Sequence, residues 1–342
     1  MKQVTRSEYL LRHVKQVLPY ATPAKLFNLL LNVVEFQLKI SRPWSLPPYI
    51  KVEPTPLCQL ACPGCAHGTS DLKKQLSNRM HLTLDELKKI IDPISGALFG
   101  VSLSLRGEPL LGKDLLPIIE YIHSKNIAVS FPTNLSVNLR EEQIERLVRS
   151  GVDTIFVSLD GASDETYRQY RVGGDFDLVL RNVRRIYEAK QRLGYSRPKV
   201  IWKFVVLKHN KHEAAAVENT YRNLWFDAYE LVQDYHSDAV KQARRTYNTT
   251  VLRKRKGCYW AWHTTVIRAD GRVSPCCLGH EDFALGNVNN GDIRTIWRSE
   301  PYSRLRRGFK TMQAADMHSV CARCLGITSN RPRPITTSKE TA

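Results

Sequence analysis

The chain has 342 residues, 42% hydrophobic and 25% charged, which is room for one large domain with at most a small appendage and a charge content ordinary for a soluble protein. Its 51 Lys and Arg against 33 Asp and Glu give a formal +18, a balance that attracts nucleic acid, anionic lipid or phosphorylated substrates and equally serves plain solubility. No uninterrupted apolar run reaches transmembrane length and residues 1–15 lack a secretory signal pattern, so the expectation is a cytoplasmic protein whose eight cysteines bind metal rather than pair as disulfides.

Thr22-Pro23 reads as an N-cap followed by proline at the first helical position. Beyond it Asn28, Asn32, Glu35 and Lys39 recur at helical spacing, and Leu26, Phe27, Leu30, Val33, Val34 and Leu38 belong to the wide apolar remainder. The expectation is an amphipathic helix whose apolar face packs on the main domain. An in-plane membrane helix is the rival reading, and the weakly basic polar stripe counts against it. Three prolines in 42–48 end the helix, so residues 1–48 form a helical extension.

Strand candidates follow at 49–55, 97–105, 127–132, 154–160, 199–207 and 228–233. Helix candidates lie between them at 83–94, opened by a Thr83–Glu86 capping box, and at 114–125, 140–150, 175–193 and 211–224. Strands separated by helices imply an α/β fold with a parallel sheet and right-handed crossovers. Six strands suit an open partial (β/α)6 TIM-like barrel over residues 49–240, with ligands at the carboxyl ends of the strands. Tyr235, His236 and Asp238 follow the last strand and are expected to edge the cavity. Residues 241–256 carry seven Lys or Arg and no acid, and read as a basic linker. Residues 257–327 hold five of the eight cysteines and read as a separate small unit, followed by a disordered tail at 328–342.

Cys58, Cys62 and Cys65 directly follow the first strand with three and two residues between them. A loop of this size turns three thiolates toward one point. Three ligands fall short of a closed zinc site and suit a four-iron cluster with one iron left open. That iron can chelate an amino and a carboxylate group.

This triplet resembles the hallmark of the radical S-adenosylmethionine superfamily, with Gly64 where the family usually has an aromatic residue. The context is similar. Gly107-Glu108-Pro109 after the second strand matches the family's Gly-Glu-Pro turn, with Arg106 in place of a second glycine. Thr133-Asn134 follows the third strand, with Leu135 replacing a glycine. Ser158 to Gly161 end the fourth strand, Arg171 comes soon after, and Val206 to Asn210 end the fifth. The resemblance implies that Gly107, Glu108, Pro109, Asn134, Ser158, Asp160, Arg171 and Asn210 bind S-adenosylmethionine. The turn would receive the ammonium, the serine and the basic residue would meet carboxylate and ribose, and the 206–210 segment would contact adenine. Each motif alone is ordinary turn chemistry, and their order carries the weight.

The remaining cysteines are Cys258, Cys276, Cys277, Cys321 and Cys324, with an Asp270-Gly271 turn inside a short hairpin between the first two. Cys321-x2-Cys324 has metal-knuckle spacing. The layout is similar to the SPASM family of auxiliary domains, in its shortened twitch form. That resemblance implies one auxiliary [4Fe-4S] cluster on Cys258, Cys276, Cys321 and Cys324. Cys277 is the spare, read as a small buried hydrophobe or as able to exchange with Cys276. A four-cysteine set taken alone also fits structural zinc.

The resemblance implies an enzyme that reductively cleaves S-adenosylmethionine to a 5′-deoxyadenosyl radical, fed by a one-electron donor such as flavodoxin or ferredoxin. Three substrate readings compete. The favoured one is oxidation or rearrangement of a small polar, sugar- or cyclitol-like substrate, with the auxiliary cluster as electron acceptor. Peptide modification is second, and residues 1–48 look short for a peptide-recognition domain. A basic nucleic-acid or lipid-surface module with structural metal is third. Residues 241–256 and 298–310 motivate it, without the interleaved aromatics of a base-stacking platform.

Overall fold

Thr22 caps α1 (Pro23–Leu38) by accepting from Lys25 N, and Lys39 ends it in a left-handed conformation. The computed structural model describes residues 14–65, 81–233, 257–277 and 283–325. Tyr235, His236, Asp238, the basic segment 241–256 and the tail lie outside the described residues.

Strand and helix then alternate: β1 (Tyr49–Val52), α2 (Leu84–Ile91), β2 (Gly100–Leu103), α3 (Leu115–Ser124), β3 (Ala128–Thr133), α4 (Glu141–Arg149) and β4 (Thr154–Ser158). After these come α5 (Asp164–Tyr170), α6 (Phe176–Leu193), β5 (Lys199–Val206), α7 (Ala214–Thr220) and β6 (Ala228–Gln233). The C-terminal part adds α8 (Trp260–His263), β7 (Thr264–Ile267), β8 (Arg272–Ser274), β9 (Gly286–Asn287), α9 (Ile293–Trp297), α10 (Glu300–Thr311) and α11 (Ser319–Cys324). The six strands expected from the pattern are all present. Sequence reading missed α5, although Ser163 followed by Asp164 and Glu165 is an N-cap signal, and Ser163 does cap it.

Strand order is β6-β5-β4-β3-β2-β1-β7-β8-β9. The first seven are parallel, as helical crossovers require, and β7–β8 and β8–β9 are antiparallel. The sheet's helix-facing side carries Ile50, Val52, Val101, Leu103, Phe131 and Val157, all buried in the main core. The opposite side is polar toward the strand ends. Lys51 pairs in register with Ser102, and Ser158 with Lys203, which pairs in turn with Glu230. Neighbours in register share a face, so Ser158, Lys203 and Glu230 form one cross-strand row on the inner side of the barrel.

The C-terminal cysteine-rich part joins this same sheet, because β7 pairs with β1 from Tyr49↔Thr264 to Val52↔Ile267. Glu53, fully buried just past β1, accepts from Arg106 Nε at 2.9 Å and from Ala269 N at 3.2 Å, tying the hairpin to the barrel mouth.

One expectation is overturned. The apolar face of α1 does not pack on the main domain. Lys25, Asn32 and Glu35 are buried, while Leu26, Phe27, Leu30 and Leu38 are exposed. The physical reason is that the polar stripe finds a full set of partners inside. Asn32 Nδ2 donates to Ser45 Oγ at 2.9 Å and to Trp262 O at 2.7 Å, and its Oδ1 meets His263 Nδ1. Glu35 accepts from the backbone N–H of Trp44 and Ser45, and Lys25 Nζ donates to Asn126 O. Burial lowers the Lys25 ammonium to about 8.

This inversion makes an unusual mutational pattern. Asn32→Leu, hydrophobic on a helix rich in leucine, should destabilise by about 2–4 kcal/mol, because it strands buried polar partners. Leu30→Gln should change stability by no more than about 0.5 kcal/mol. Urea unfolding of the two variants checks the order; an ordinary amphipathic helix gives the reverse.

Candidate active site

The loop from Cys58 to Cys65 leaves β1 and is held from three directions. Ala61 N donates to Val172 O at 2.9 Å, and Gln59 Nε2 donates to Asn134 Oδ1 and to Ser136 O, both at 2.9 Å. Asn134 Nδ2 donates to Cys58 Sγ at 3.8 Å, and Arg171 Nη1 donates to Cys62 Sγ at 3.9 Å. Hydrogen bonds to cluster sulfurs tune reduction potential.

Burial pushes the Cys58 thiol up to about 11, with Glu108, Cys62 and Cys65 adding to the shift. Burial raises Cys62 as well, against the pull of Arg171. Such thiols lose their protons only as metal arrives, so loading is coupled to proton release.

The Gly107-Glu108-Pro109 turn packs directly under this loop. Gly107 has φ +71°, and a Cβ there would stand 2.4 Å from Thr55 O and 2.6 Å from Leu57 O. Only glycine fits such a backbone. Glu108 turns inward: its carboxylate accepts from Thr133 Oγ1 at 2.6 Å, Asn134 N at 2.7 Å and Leu110 N at 3.1 Å. Desolvation raises its pKa, and these three donors oppose that shift. Its side chain therefore fixes the loops after β2 and β3 to each other.

Asp160 and Asn210 are fully buried and do similar work. Asp160 accepts from Val205 N and Arg171 Nε, each at 2.7 Å. Asn210 donates to Asp160 O at 3.0 Å and Val205 O at 2.8 Å, and accepts from Leu207 N. Burial opposes the Arg171 charge, but Asp160 and Cys62 outweigh it and hold the guanidinium protonated. Ser158 ends β4 beside Lys203, and Pro109 is buried at the start of the short turn after Glu108. The structure thus brings all the expected residues to one mouth, with Glu108 and Asn210 spending their side chains on neighbouring loops.

Two departures acquire reasons. Arg106 replaces a glycine because its guanidinium pairs with buried Glu53. Leu135 replaces another and still takes φ +53°, held by its buried side chain and by Asn182 Nδ2 donating to its carbonyl at 3.0 Å. Gly64 supplies no aromatic ring; Tyr170 precedes Arg171, the donor to Cys62 Sγ, and burial raises its hydroxyl pKa, with Cys62 and Cys65 adding to the shift. Its ring stacks on His209 at 6.5 Å, and His209 Nε2 is buried with no partner among the described residues. Neither residue was singled out from sequence.

The second cysteine group gathers around α11, where Cys321 and Cys324 lie one turn apart on one face. Burial pushes Cys258 up to about 11, followed by Cys324 and Cys277. Burial also puts Cys321 well above its usual range, with Cys258, Cys276 and Cys324 adding. Cys277 is exposed, which corrects its reading as a buried hydrophobe. Among the described residues no three ligating side chains converge on a single-ion site, although the thiols are near enough to act on one another. A four-iron cube holds its ligands further apart than one ion does. The all-sulfur donor sets and the unpartnered His209 nitrogen fit clusters and a bound nucleoside cofactor.

Residues 52–197 match the Radical SAM superfamily, and residues 258–325 match an iron-sulfur cluster-binding domain, SPASM. The chain belongs to the radical SAM superfamily and carries a C-terminal SPASM domain, with S-adenosylmethionine and [4Fe-4S] clusters as its cofactors. A probable GTP 3′,8-cyclase of Methanococcus maripaludis is 33% identical over 297 residues, 73% of this chain and 94% of that protein. An AdoMet-dependent heme synthase of Methanosarcina barkeri is 24% identical over 328 residues, 81% of this chain and 91% of that protein. In fold the chain resembles Streptococcus suis SuiB, with TM-score 0.61 and 16% identity over 90% of this chain and 79% of that one. No helix among the described residues is long and apolar enough to cross a membrane.

Gly107→Ala forces a left-handed alanine against two backbone carbonyls. It should cost at least about 2 kcal/mol in stability and abolish retention of S-adenosylmethionine in equilibrium dialysis.

Proposed function

We propose that this enzyme abstracts hydrogen from a small polar substrate that carries an anionic group, and oxidises it. The observation behind this reading is the inner face of the barrel. Lys203 lies between Ser158 and Glu230 in register, and feels Glu230, Lys51, Asp160 and Arg171. Lys51 Nζ stands 5.8 Å over the Trp260 ring. Two lysines on the inner side of a parallel barrel, next to the cysteine loop, suit a carboxylate or phosphate. One relative is a probable GTP 3′,8-cyclase, and GTP is itself a polyanion.

When bound, S-adenosylmethionine and the first cluster supply a 5′-deoxyadenosyl radical, and the auxiliary cluster supplies an acceptor for the electron that oxidation releases. The chain's residues bind and orient. Cys58, Cys62 and Cys65 would hold the first cluster. Asn134 and Arg171 donate to two of their sulfurs. The Gly107–Pro109 turn and Ser158 would bind the amino-acid end of the cofactor, and the Tyr170–His209 stack would offer its adenine a flat surface. Asp160 holds Arg171, and Asn210 holds the end of β5. Cys258, Cys276, Cys321 and Cys324 would hold the auxiliary cluster.

Lys203→Met should raise the substrate KM about 100-fold, as expected for a partly buried charge-assisted contact, and leave substrate-independent 5′-deoxyadenosine formation intact. Desolvation lowers the Lys203 pKa, so the ammonium is lost as pH rises through a value below the ordinary lysine range. Substrate KM should climb over that alkaline window in the parent enzyme and stay flat in the variant. An unchanged KM in Lys203→Met removes the anionic-substrate reading.

Cys321→Ala with Cys324→Ala should lose part of the iron, remain folded by circular dichroism, still form 5′-deoxyadenosine, and yield little oxidised product. Normal product from a folded double variant that lacks the second cluster removes the electron-acceptor role.

A further inference from the structure

Helix α1 turns its charges inward and its apolar side chains outward. Its only charged residues, Lys25 and Glu35, are 2% and 4% exposed. Leu26, Phe27, Leu30, Val33, Val34 and Leu38 are 41% to 69% exposed, and Trp44 just beyond the helix is 80% exposed. Their spacing draws one stripe along the whole helix. An apolar stripe of this extent, on the order of 500 Å², marks an interaction surface rather than ordinary protein exterior.

The charges beside the stripe indicate what covers it. Phe36 of α1 packs on Trp262 at 5.4 Å, and Trp262 packs on Phe309 of α10 at 6.2 Å, so α10 flanks the C-terminal half of α1. The exposed side of α10 carries Arg304, Arg307 and Lys310 against Glu300. Arg42 pairs with that same Glu300 at 3.0 Å, and Arg298 holds the carbonyls of Pro43 and Trp44. An apolar ridge ending in an exposed tryptophan and bordered by cations is complementary to an anionic bilayer. Acyl chains accept the leucines, and headgroup phosphates accept the arginines and lysines. A second copy of this chain is a poorer fit, because it would bring +18 against +18. The weakly basic polar stripe argued against a membrane role on sequence alone. That stripe faces the protein, and α10 supplies the cations instead.

We propose that the outer face of α1, with the cationic side of α10 beside it, docks this enzyme on an anionic lipid surface.

The test is co-sedimentation of the reconstituted full-length enzyme with phosphatidylglycerol–phosphatidylcholine vesicles and with phosphatidylcholine vesicles. The parent enzyme should pellet with the anionic vesicles, and less so as salt rises. Phe27→Glu with Leu30→Glu should lower partitioning at least about ten-fold and leave 5′-deoxyadenosine formation unchanged. Phe27→Gln with Leu30→Gln, a milder pair at the same exposed sites, should move in the same direction. Arg304→Ala with Lys310→Ala should weaken binding to anionic vesicles only. A parent enzyme that stays in the supernatant with both vesicles overturns the proposal, as does partitioning that neither pair at Phe27 and Leu30 alters. A dimer in sedimentation velocity that Phe27→Glu dissolves, without vesicle binding, assigns the face to a second copy and overturns it too.

Discussion

Three carboxylates are buried where strands of the barrel end: Glu53 after β1, Glu108 after β2 and Asp160 after β4. A buried carboxylate without partners costs several kcal/mol, so each is stable only while its donors stay in place. Those donors come from other loops and strand ends. Glu53 draws in Arg106 and Ala269, Glu108 draws in Thr133 and Asn134, and Asp160 draws in Arg171 and Val205. None of these segments can shift without stranding a charge. Asn134 and Arg171, fixed in this way, are the groups that reach the sulfurs of Cys58 and Cys62.

The same constraint joins the two cysteine groups. Glu53 bonds to the backbone of the C-terminal hairpin, and β7 extends the barrel sheet beyond β1. The auxiliary part is therefore built onto the barrel through one continuous ladder. The inner row of Ser158, Lys203 and Glu230 gives the barrel a polar side where its helix-facing side is mostly apolar.

Much of this was legible in the sequence, because period and turn chemistry are local. The strands announced themselves as apolar runs between capped helices, and the motifs fell at strand ends, where such folds place ligands. What stayed hidden depends on partners far along the chain. Nothing local says that Arg106 belongs to Glu53, or that Leu135 can hold a left-handed backbone while its side chain is buried. Helical spacing shows that α1 has two unlike faces. It does not show which face meets the domain, since Asn32 finds Trp262 and His263 some 230 positions away. Tyr170 lies on a helix that the pattern did not resolve, so its closeness to the cysteine loop was out of reach.

The most direct measurement is made on a variant with Cys58, Cys62 and Cys65 all changed to Ala. Iron content and electron paramagnetic resonance of the reduced protein would be read with and without S-adenosylmethionine, alongside 5′-deoxyadenosine. If this triplet carries the chemistry, the variant keeps the auxiliary cluster's iron and signal, shows no spectral response to S-adenosylmethionine, and forms no 5′-deoxyadenosine. Undiminished cofactor cleavage in that variant would contradict the assignment.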